Sequence, residues 1–483
     1  MRRITNIVAK NWILVVVVLV GIFLRFYRLE GFVTFLGDQG RDAIIIKRII
    51  TGEHFPAIGA PTSVGQVYLG PFYYYFIAPW LLLFKFQPIG LAFGVAVYSS
   101  FYLLVNYFIV KELFNKRISL ISTLFLSFSS VLIDFSRFSW NPNLLPLFTL
   151  LTIYFAIKSL QTNKWHYFFL LGAFLSFSIQ LHYLALFLIP AIGIIFLSSL
   201  YKKSVKQLIS QFHNFLISVL SFIIFSSPLI IFDLRHNFLN SKLFLALFKS
   251  SGTSFASKIN SFFDSFYYLN FYSFNINLNK FFIYVLLVFL FIILFTLIKK
   301  SSNLKTFLLI FFITIVGMSL YNGPKHPHYF GILFPLYFVI ISYFLASLNQ
   351  SSFGKIMIVF FISGYIFLNF QKYYFLRNQP NNQITFAKNI AQKISRNITK
   401  NKFTVTALPE KYSDSTYRFF LELWGKRSIE KDSLEKADEL FVVCEKKCDF
   451  IIGNPMWDIA FFAPNKIVGE WSVEGVKIYK LIR

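Results

Sequence analysis

The sequence predicts an α-helical polytopic membrane protein carrying a small extracytoplasmic α/β domain at its C-terminus. Three observations lead there. The 483 residues are 56% hydrophobic and 20% aromatic, with 65 Phe and only 14% charged residues, against about 25% charged in an ordinary soluble domain. A water-soluble globule of this length has no way to hide that much apolar surface. Apolar runs of roughly 20 residues, long enough to cross a bilayer, recur along the first 371 residues. The charge is also divided: eight of the 21 acidic residues precede residue 373, against 29 of the 47 Lys and Arg, so the apolar part carries +21 and the tail +5. The net charge of +26 therefore belongs largely to membrane loops, which gather Lys and Arg on one side, and not to a nucleic-acid surface. Disorder, nucleic-acid binding and most soluble enzyme classes are excluded. The break in composition near Lys372 divides the chain into 1–372 and 373–483.

The first span runs from Asn11 to about Tyr27 behind the basic Met1-Arg2-Arg3. A cleaved signal peptide is the competing reading; no small-residue cleavage site follows Phe23, and Arg25 and Arg28 flank the exit, which favours an uncleaved anchor. Further spans are expected at about 89–110, 118–133, 143–160, 165–181, 183–200, 212–232, 281–298, 305–321, 329–347 and 355–371, about eleven in all. The run Tyr73–Phe86 is short and interrupted by Pro71, Pro79 and Pro88, so it reads as a re-entrant or interfacial helix inside a large first outer loop, about 30–88. With the N-terminus in the cytoplasm, the inner loops are short and basic: Lys111 to Arg117, the turn at Lys164, Tyr201-Lys202-Lys203, Lys299-Lys300 to Lys305, and the turn at Lys355. That is the arrangement the positive-inside rule requires, and the opposite loops hold seven of the eight acids. An odd number of spans places the tail outside a plasma membrane.

In the tail, Phe403–Ala407 and Leu440–Val443 have the pattern of buried strands, Ser415–Trp424 that of a helix, and Ile467–Trp471 and Val476–Leu481 that of a strand pair turning at Glu474-Gly475. No His lies there and no catalytic cluster, so a packing or substrate-guiding appendage is expected. Cys444 and Cys448, the only cysteines, lie four apart and would face an oxidising compartment; the sequence leaves a disulfide between them open, and the lack of a neighbouring His weighs against a metal site.

Polar residues at membrane depth point to function, and here they gather in the outer loops. The first loop holds Phe35-Leu36-Gly37-Asp38-Gln39-Gly40-Arg41-Asp42, then Thr51-Gly52-Glu53, Pro61-Thr62-Ser63-Val64-Gly65, and Gly70-Pro71-Phe72-Tyr73-Tyr74-Tyr75. Asp38 is placed to begin a short surface helix, where a carboxylate suits the positive end of the dipole; the bland alternative is a simple cap, and the flanking glycines argue for a site. The second loop runs from Asp134 through Arg137 to Trp140-Asn141-Pro142-Asn143. Arg137 has a donor fork suited to phosphate and, equally, a structural partner in Asp134. His182, in Gln180-Leu181-His182-Tyr183, is either a pocket residue or a hydrogen-bonded interface residue. Asp233-Leu234-Arg235-His236-Asn237 follows the seventh span. Lys325-His326-Pro327-His328, after Tyr321-Asn322-Gly323-Pro324, forms a cationic group suited to an anionic ligand or a solvated loop. The stretch from Asn240 to Lys280 resembles an interfacial amphipathic segment that caps a cavity or meets lipid headgroups.

The order of these motifs resembles the GT-C membrane glycosyltransferases that use polyprenyl-phosphate sugars, nearest the subgroup of protein O-mannosyltransferases, the lipid A aminoarabinose transferase and Rgt-type galacturonosyltransferases. The resemblance covers about residues 10–350. It rests on Gly37-Asp38-Gln39-Gly40-Arg41-Asp42, on Gly70 to Tyr75, on the hinge Leu113-Phe114-Asn115-Lys116-Arg117 and on the Arg137 loop. Family members often carry Asp-Glu where this chain has Asp38-Gln39. The resemblance implies an inverting transfer in which Asp38 takes the acceptor's proton. Arg137 and Lys325, joined by Arg235 or His328, would hold the donor's phosphate, with Arg41, Asp42, Tyr73, Asp134 and His182 around the substrate. A divalent cation on Asp38 or Asp42 is compatible with it. The acceptor would be a glycan, lipid or protein. The rival from another class is a transporter or flippase of a lipid-linked anion, whose charges or broken helices belong at the midplane; spans nearly free of charge favour the enzyme.

Overall fold

The computed structural model describes residues 11–483 apart from 63–64, 202, 250–254, 278, 298, 300, 322, 410–412, 432, 447 and 449. Met1-Arg2-Arg3, Ser63, Val64, Lys202, Lys300 and Asn322, which entered the reading of the loops, lie outside the described residues. The chain is mostly helical. In order come α1 (Trp12–Phe26), α2 (Gly37–Ile50), α3 (Phe72–Leu83), α4 (Ile89–Leu113), α5 (Lys116–Phe128), α6 (Leu145–Thr162), α7 (Trp165–Leu181), α8 (Leu188–Leu200), α9 (Val205–Arg235), α10 (Leu239–Lys249), α11 (Phe255–Phe274), α12 (Lys280–Leu297), α13 (Ser302–Ser319), α14 (Phe334–Leu348) and α15 (Ser352–Phe370). A smaller α/β unit follows: α16 (Gln383–Asn397), β1 (Phe403–Leu408), α17 (Ser415–Leu423), β2 (Glu439–Cys444), α18 (Trp457–Phe462), β3 (Lys466–Val473) and β4 (Val476–Ile482).

Each of the eleven expected spans is helical. Among the described residues, six helices are long and apolar enough to cross a membrane, and four more are apolar but shorter, Phe72–Leu83 among them. The number of helices therefore exceeds the number whose length alone dictates a crossing. Helix α9 shows what solvent the bundle is built for. Gln211, Asn214, Ser218, Ser221 and Ser226 are buried, whereas Phe212, Leu216, Leu220, Ile223 and Ile224 are exposed. Water would favour the reverse; lipid does not, because hydrocarbon side chains lose nothing by facing hydrocarbon and small polar residues let helices approach. The crossing of α7 and α9 uses this: a Cβ on Gly172 would run into the Ser218 carbonyl, Ser221 Oγ donates to the Phe169 carbonyl at 2.8 Å, and Ser176 and Ser226 hydroxyls meet at 2.8 Å.

Two arginines are wholly buried, and neither is held by a carboxylate. Arg25 donates to Ser99 Oγ (2.8 Å), the Gly21 carbonyl (2.8 Å) and the Leu126 carbonyl (3.0 Å). Arg137 donates to the carbonyls of Leu24 and Arg25 (both 3.1 Å) and Tyr27 (3.0 Å), with its guanidinium 4.0 Å from the Phe375 ring centroid. The last carbonyls of a helix have no partner within it, and Arg137 satisfies them for α1. This corrects the expectation for Arg137: it makes no ion pair with Asp134 and presents no free fork to a phosphate.

The C-terminal sheet has the order β1-β2-β4-β3, with β1 and β2 parallel and the remaining pairs antiparallel. The crossover between the parallel strands is α17, as such pairing demands. Strand alternation sends Phe403, Val405 and Ala407 to the face shared with Ile390 of α16 and Phe420 of α17, and Leu408, Leu440 and Val442 to the face covered by Ile459 and Phe462 of α18. All four strands and α17 stand where the sequence pattern predicts. Cys444 and Cys448 are joined by a disulfide with Cα atoms 6.1 Å apart, which settles a pairing the sequence left open; the turn after β2 brings together two residues whose separation in sequence says nothing of direction.

Replacing Arg137 by Met is expected to lower the melting midpoint in detergent by at least about 5 °C, since three carbonyls lose their donor. A midpoint within a degree of the parent would show that they find other partners.

Candidate active site

Helix α2 is the centre of the polar region. Its first turn begins after Leu36, whose N–H donates to Gln39 Oε1 at 3.1 Å, while the Phe35 N–H donates to Gln383 Oε1 at 2.8 Å. Gln39 thus does the capping work, which leaves Asp38 free of it. The Asp38 side chain is 50% exposed and accepts from Arg41 Nη1 at 2.9 Å. Arg41 also donates to Asp42 Oδ1 from Nε (3.0 Å) and Nη2 (2.8 Å). Asp42 is 1% exposed; Tyr74 Oη donates to its Oδ1 at 3.3 Å, and its Oδ2 has no partner. Burial pushes the Asp42 carboxyl above its usual range and Arg41 opposes the shift. Burial likewise works against the Arg41 charge, but Asp42, Tyr74 and Asp38 together hold its pKa above the ordinary value.

The two glycines beside Asp38 have a reason other than a ligand. A Cβ on Gly40 would lie 2.5 Å from the Thr416 nitrogen and 2.6 Å from the Ser415 carbonyl carbon, and one on Gly37 would lie 2.5 Å from Ser413 Cβ. Both let α2 touch the start of α17. The far end of α2 is pinned by charge: Arg48 donates to Glu422 at 2.9 and 2.6 Å and to Glu430 at 2.6 Å, and Lys47 lies 3.4 Å from Glu422. Phe35 packs edge-on against Phe419 and Phe420, each at 6.1 Å.

The tyrosine run at the start of α3 ties the surrounding loops together. The hydroxyls of Tyr73 and Ser139 lie 2.5 Å apart, Tyr74 reaches Asp42, and Tyr75 Oη donates to the Pro56 carbonyl at 3.0 Å. Gly70 lies so close to the Gln180 side chain that a Cβ has no room, and the Phe72 N–H donates to Gln180 Oε1 at 3.3 Å. Tyr73 is therefore a strut beneath the site.

Above these residues opens a cavity of about 70 Å³ lined by Asp38, Arg41, Ala60, Pro61, Thr62, Leu69, Trp140, Asn141, Pro142, His182, Tyr183, His328 and Tyr329. Sharing Leu69 and Tyr183 with it is a larger cavity of about 400 Å³, mostly apolar, between α7, α9 and α10, with Asp233, Asn240 and Ser241 among its lining. Of the site residues read from the sequence, the fold brings Asp38, Arg41, His182 and His328 to the smaller cavity and places Asp42 and Tyr73 directly behind them. His182 Nδ1 accepts from the Leu184 N–H at 3.2 Å, so that ring nitrogen carries no proton. Burial lowers the His182 pKa to about 3 with a contribution from His328, and lowers that of His328 to about 4 with a contribution from His326.

The other candidates sit elsewhere. Lys325 is buried and donates to the Met318 carbonyl at 2.8 Å and to that of Tyr321, so it caps α13; burial lowers its pKa to about 8. Asp134 is not in the cavity wall, and burial raises its carboxyl pKa to about 7 against the pull of Arg137. Arg235 is exposed at the end of α9. Sequence reasoning missed Trp140, Asn141, Tyr183 and Tyr329 as wall residues, although all four lie in or directly beside motifs it singled out. The Arg41 guanidinium lies between the two carboxylates on which a divalent cation was expected, Asp38 and Asp42, and no group of three or more His, Cys, Asp or Glu able to hold a metal occurs among the described residues.

Comparison with solved structures decides the architecture. The chain is similar to ArnT from Cupriavidus metallidurans bound to undecaprenyl phosphate, with 11% identity over 98% of both chains and a TM-score of 0.64. It is similar to the apo state of the same protein at 11% identity, again over 98% of both chains, with a TM-score of 0.60. The fold is that of the ArnT structures. Residues 69–231 match the family model described as dolichyl-phosphate-mannose-protein mannosyltransferase. A looser likeness links it to the archaeal oligosaccharyltransferase AglB from Archaeoglobus fulgidus in complex with an inhibitory peptide and a dolichol-phosphate: 12% identity over 90% of this chain and 70% of that one, with a TM-score of 0.48. No curated protein sequence matches the chain.

Two outcomes follow from this packing. Gly40→Ala is expected to cost about 1–3 kcal/mol by overpacking against the Thr416 backbone, whereas Gly364→Ala, with nothing within 4 Å of the new Cβ, stays within about 0.5 kcal/mol; equal melting midpoints for the two variants would count against the close approach. Because His182 and His328 are neutral in the fold at pH values where the unfolded chain, with an ordinary His pKa of 6.5, takes up protons, stability is expected to fall as pH drops from about 6.5 toward 4. His328→Asn should flatten that fall in a series of melts across the range.

Proposed function

We propose that the chain transfers a sugar from a polyprenyl-phosphate donor to an acceptor hydroxyl, with inversion, at the extracytoplasmic face of the plasma membrane. The observation that carries the reading is the half-exposed carboxylate of Asp38 in the wall of a small polar cavity that adjoins a larger apolar one, within a GT-C fold. The apolar cavity, lined by Ile179, Leu186, Phe222, Leu229, Ile230 and Phe244, suits a prenyl chain, and undecaprenyl phosphate is the ligand named for the similar ArnT structure. The sugar then lies in the smaller cavity beside Asp38.

The bond that forms joins the acceptor oxygen to the anomeric carbon, and the bond that breaks joins that carbon to the phosphate oxygen, which leaves with the electron pair. Asp38 takes the hydroxyl proton as attack proceeds. Arg41, the one cation among the described residues of the wall, faces the charge that grows on the phosphate. Asp42 and Tyr74 hold that guanidinium from behind. Attack opposite the leaving group inverts the configuration. The orientation that places this cavity outside rests on the basic inner loops.

The test is purified protein in lipid nanodiscs with a panel of polyprenyl-phosphate sugars and acceptors, following release of polyprenyl phosphate by mass spectrometry. Asp38→Asn is expected to lower kcat at least about 100-fold with donor binding retained. Equal turnover in the two proteins would remove Asp38 as the base.

A further inference from the structure

The charges and rings of the small cavity also restrict what sugar it accepts. Arg41 already serves two carboxylates, Asp38 at 2.9 Å and Asp42 at 2.8 and 3.0 Å, and in the transferase reading it meets the donor's phosphate as well. The cations nearest in sequence bring no relief, since Lys325 is turned onto the Met318 carbonyl and Arg137 onto those of Leu24, Arg25 and Tyr27. Nothing cationic among the described wall residues is left for a second anion.

Five of the other eleven wall residues carry aromatic rings. Trp140 meets His328 edge-on with centroids 4.6 Å apart, His328 meets Tyr329 at 4.4 Å, and His182 stacks on Tyr183 at 4.9 Å. Aromatic faces carry the negative part of the ring quadrupole. They attract the polarised C–H bonds of a pyranose face or an ammonium group and repel a carboxylate.

We infer, resting on the transferase reading, that this cavity takes a sugar without an acidic group, neutral or aminated, and excludes uronic acids, with the ring lying against Trp140. A uronate carboxylate brought within about 5 Å of Asp38 meets a like charge at an effective dielectric of roughly 20, a repulsion that Arg41, shared with two other carboxylates, offsets only in part, which leaves a loss on the order of 10-fold in kcat/KM. Esterifying the carboxylate removes the charge and keeps the shape, so it separates electrostatics from fit.

The experiment uses the full chain in nanodiscs with matched polyprenyl-phosphate donors: glucose with glucuronic acid, galactose with galacturonic acid, mannose with mannuronic acid, and the methyl ester of each acid. Release of polyprenyl phosphate is expected from at least one neutral donor, at least about 10-fold less from its acid partner, and recovery with the methyl ester. Trp140→Ala is expected to raise the donor KM at least about 10-fold with a smaller change in kcat, and Trp140→Phe to restore it. Transfer from an acid donor equal to or faster than from its neutral partner would overturn the inference while leaving glycosyl transfer intact. An unchanged KM in Trp140→Ala would remove that ring as the platform. No release from any donor would overturn the transferase reading and this inference with it.

Discussion

The close approach of α2 to α17 governs how the polar end of the molecule is built. Gly40 admits the Thr416 backbone to a distance that no side chain allows, and Gly37 does the same for Ser413. The Arg48 contacts to Glu422 and Glu430 hold the other end of the helix. Once α2 is pressed between the α/β unit and the bundle, Asp38 and Arg41 have one place to stand, at the edge of the cavity, and Asp42 falls behind them in the interior. The C-terminal unit, expected as an appendage, forms part of the scaffold of the site. Its own wall of Phe419, Phe420 and Tyr417 is buried by that contact.

Scarcity of acids shapes the interior. With few carboxylates in the apolar part, its buried cations turn to backbone oxygens. Arg25, Arg137 and Lys325 each take two or more hydrogen bonds at helix carbonyls or nearby hydroxyls. The C-terminal end of a helix is the negative pole of its dipole and has carbonyls without partners, so a buried cation there meets two needs at once. The same economy turns Lys325 away from its own loop and onto the end of α13, since a helix end within reach competes for the charge and is tethered where a diffusing ligand is not.

The cavity that results is framed by rings and by one ion triad. Trp140, Tyr183, Tyr329 and the two neutral histidines come from three separate loops, and α3 holds two of these, through Tyr73 to Ser139 and through the Phe72 N–H to Gln180. Rigid packing beneath and open space above is the arrangement expected where a positioned carboxylate must meet a substrate. The lateral apolar cavity adjoins it at Leu69 and Tyr183, so a long hydrocarbon and a polar head have neighbouring places.

The sequence by itself determined the series of apolar helices, the four strands of the C-terminal sheet and the helix that starts beside Asp38, because these depend on local period, run length and composition, which a chain carries without knowing its fold. It also marked Asp38, His182 and His328 as polar groups at loop positions where burial demands a reason. Tertiary structure alone decided the rest. The glycines of Gly37-Asp38-Gln39-Gly40 look like a ligand loop until α17 is seen against them. Arg137 and Lys325 look like phosphate ligands until the carbonyls of α1 and α13 are seen to take them. Trp140, Tyr183 and Tyr329 look like ordinary interfacial aromatics until the loops converge. Direction in space, and which of several competing partners lies within 3 Å of a charge, follow from contacts between segments far apart in the chain, and no local pattern encodes them.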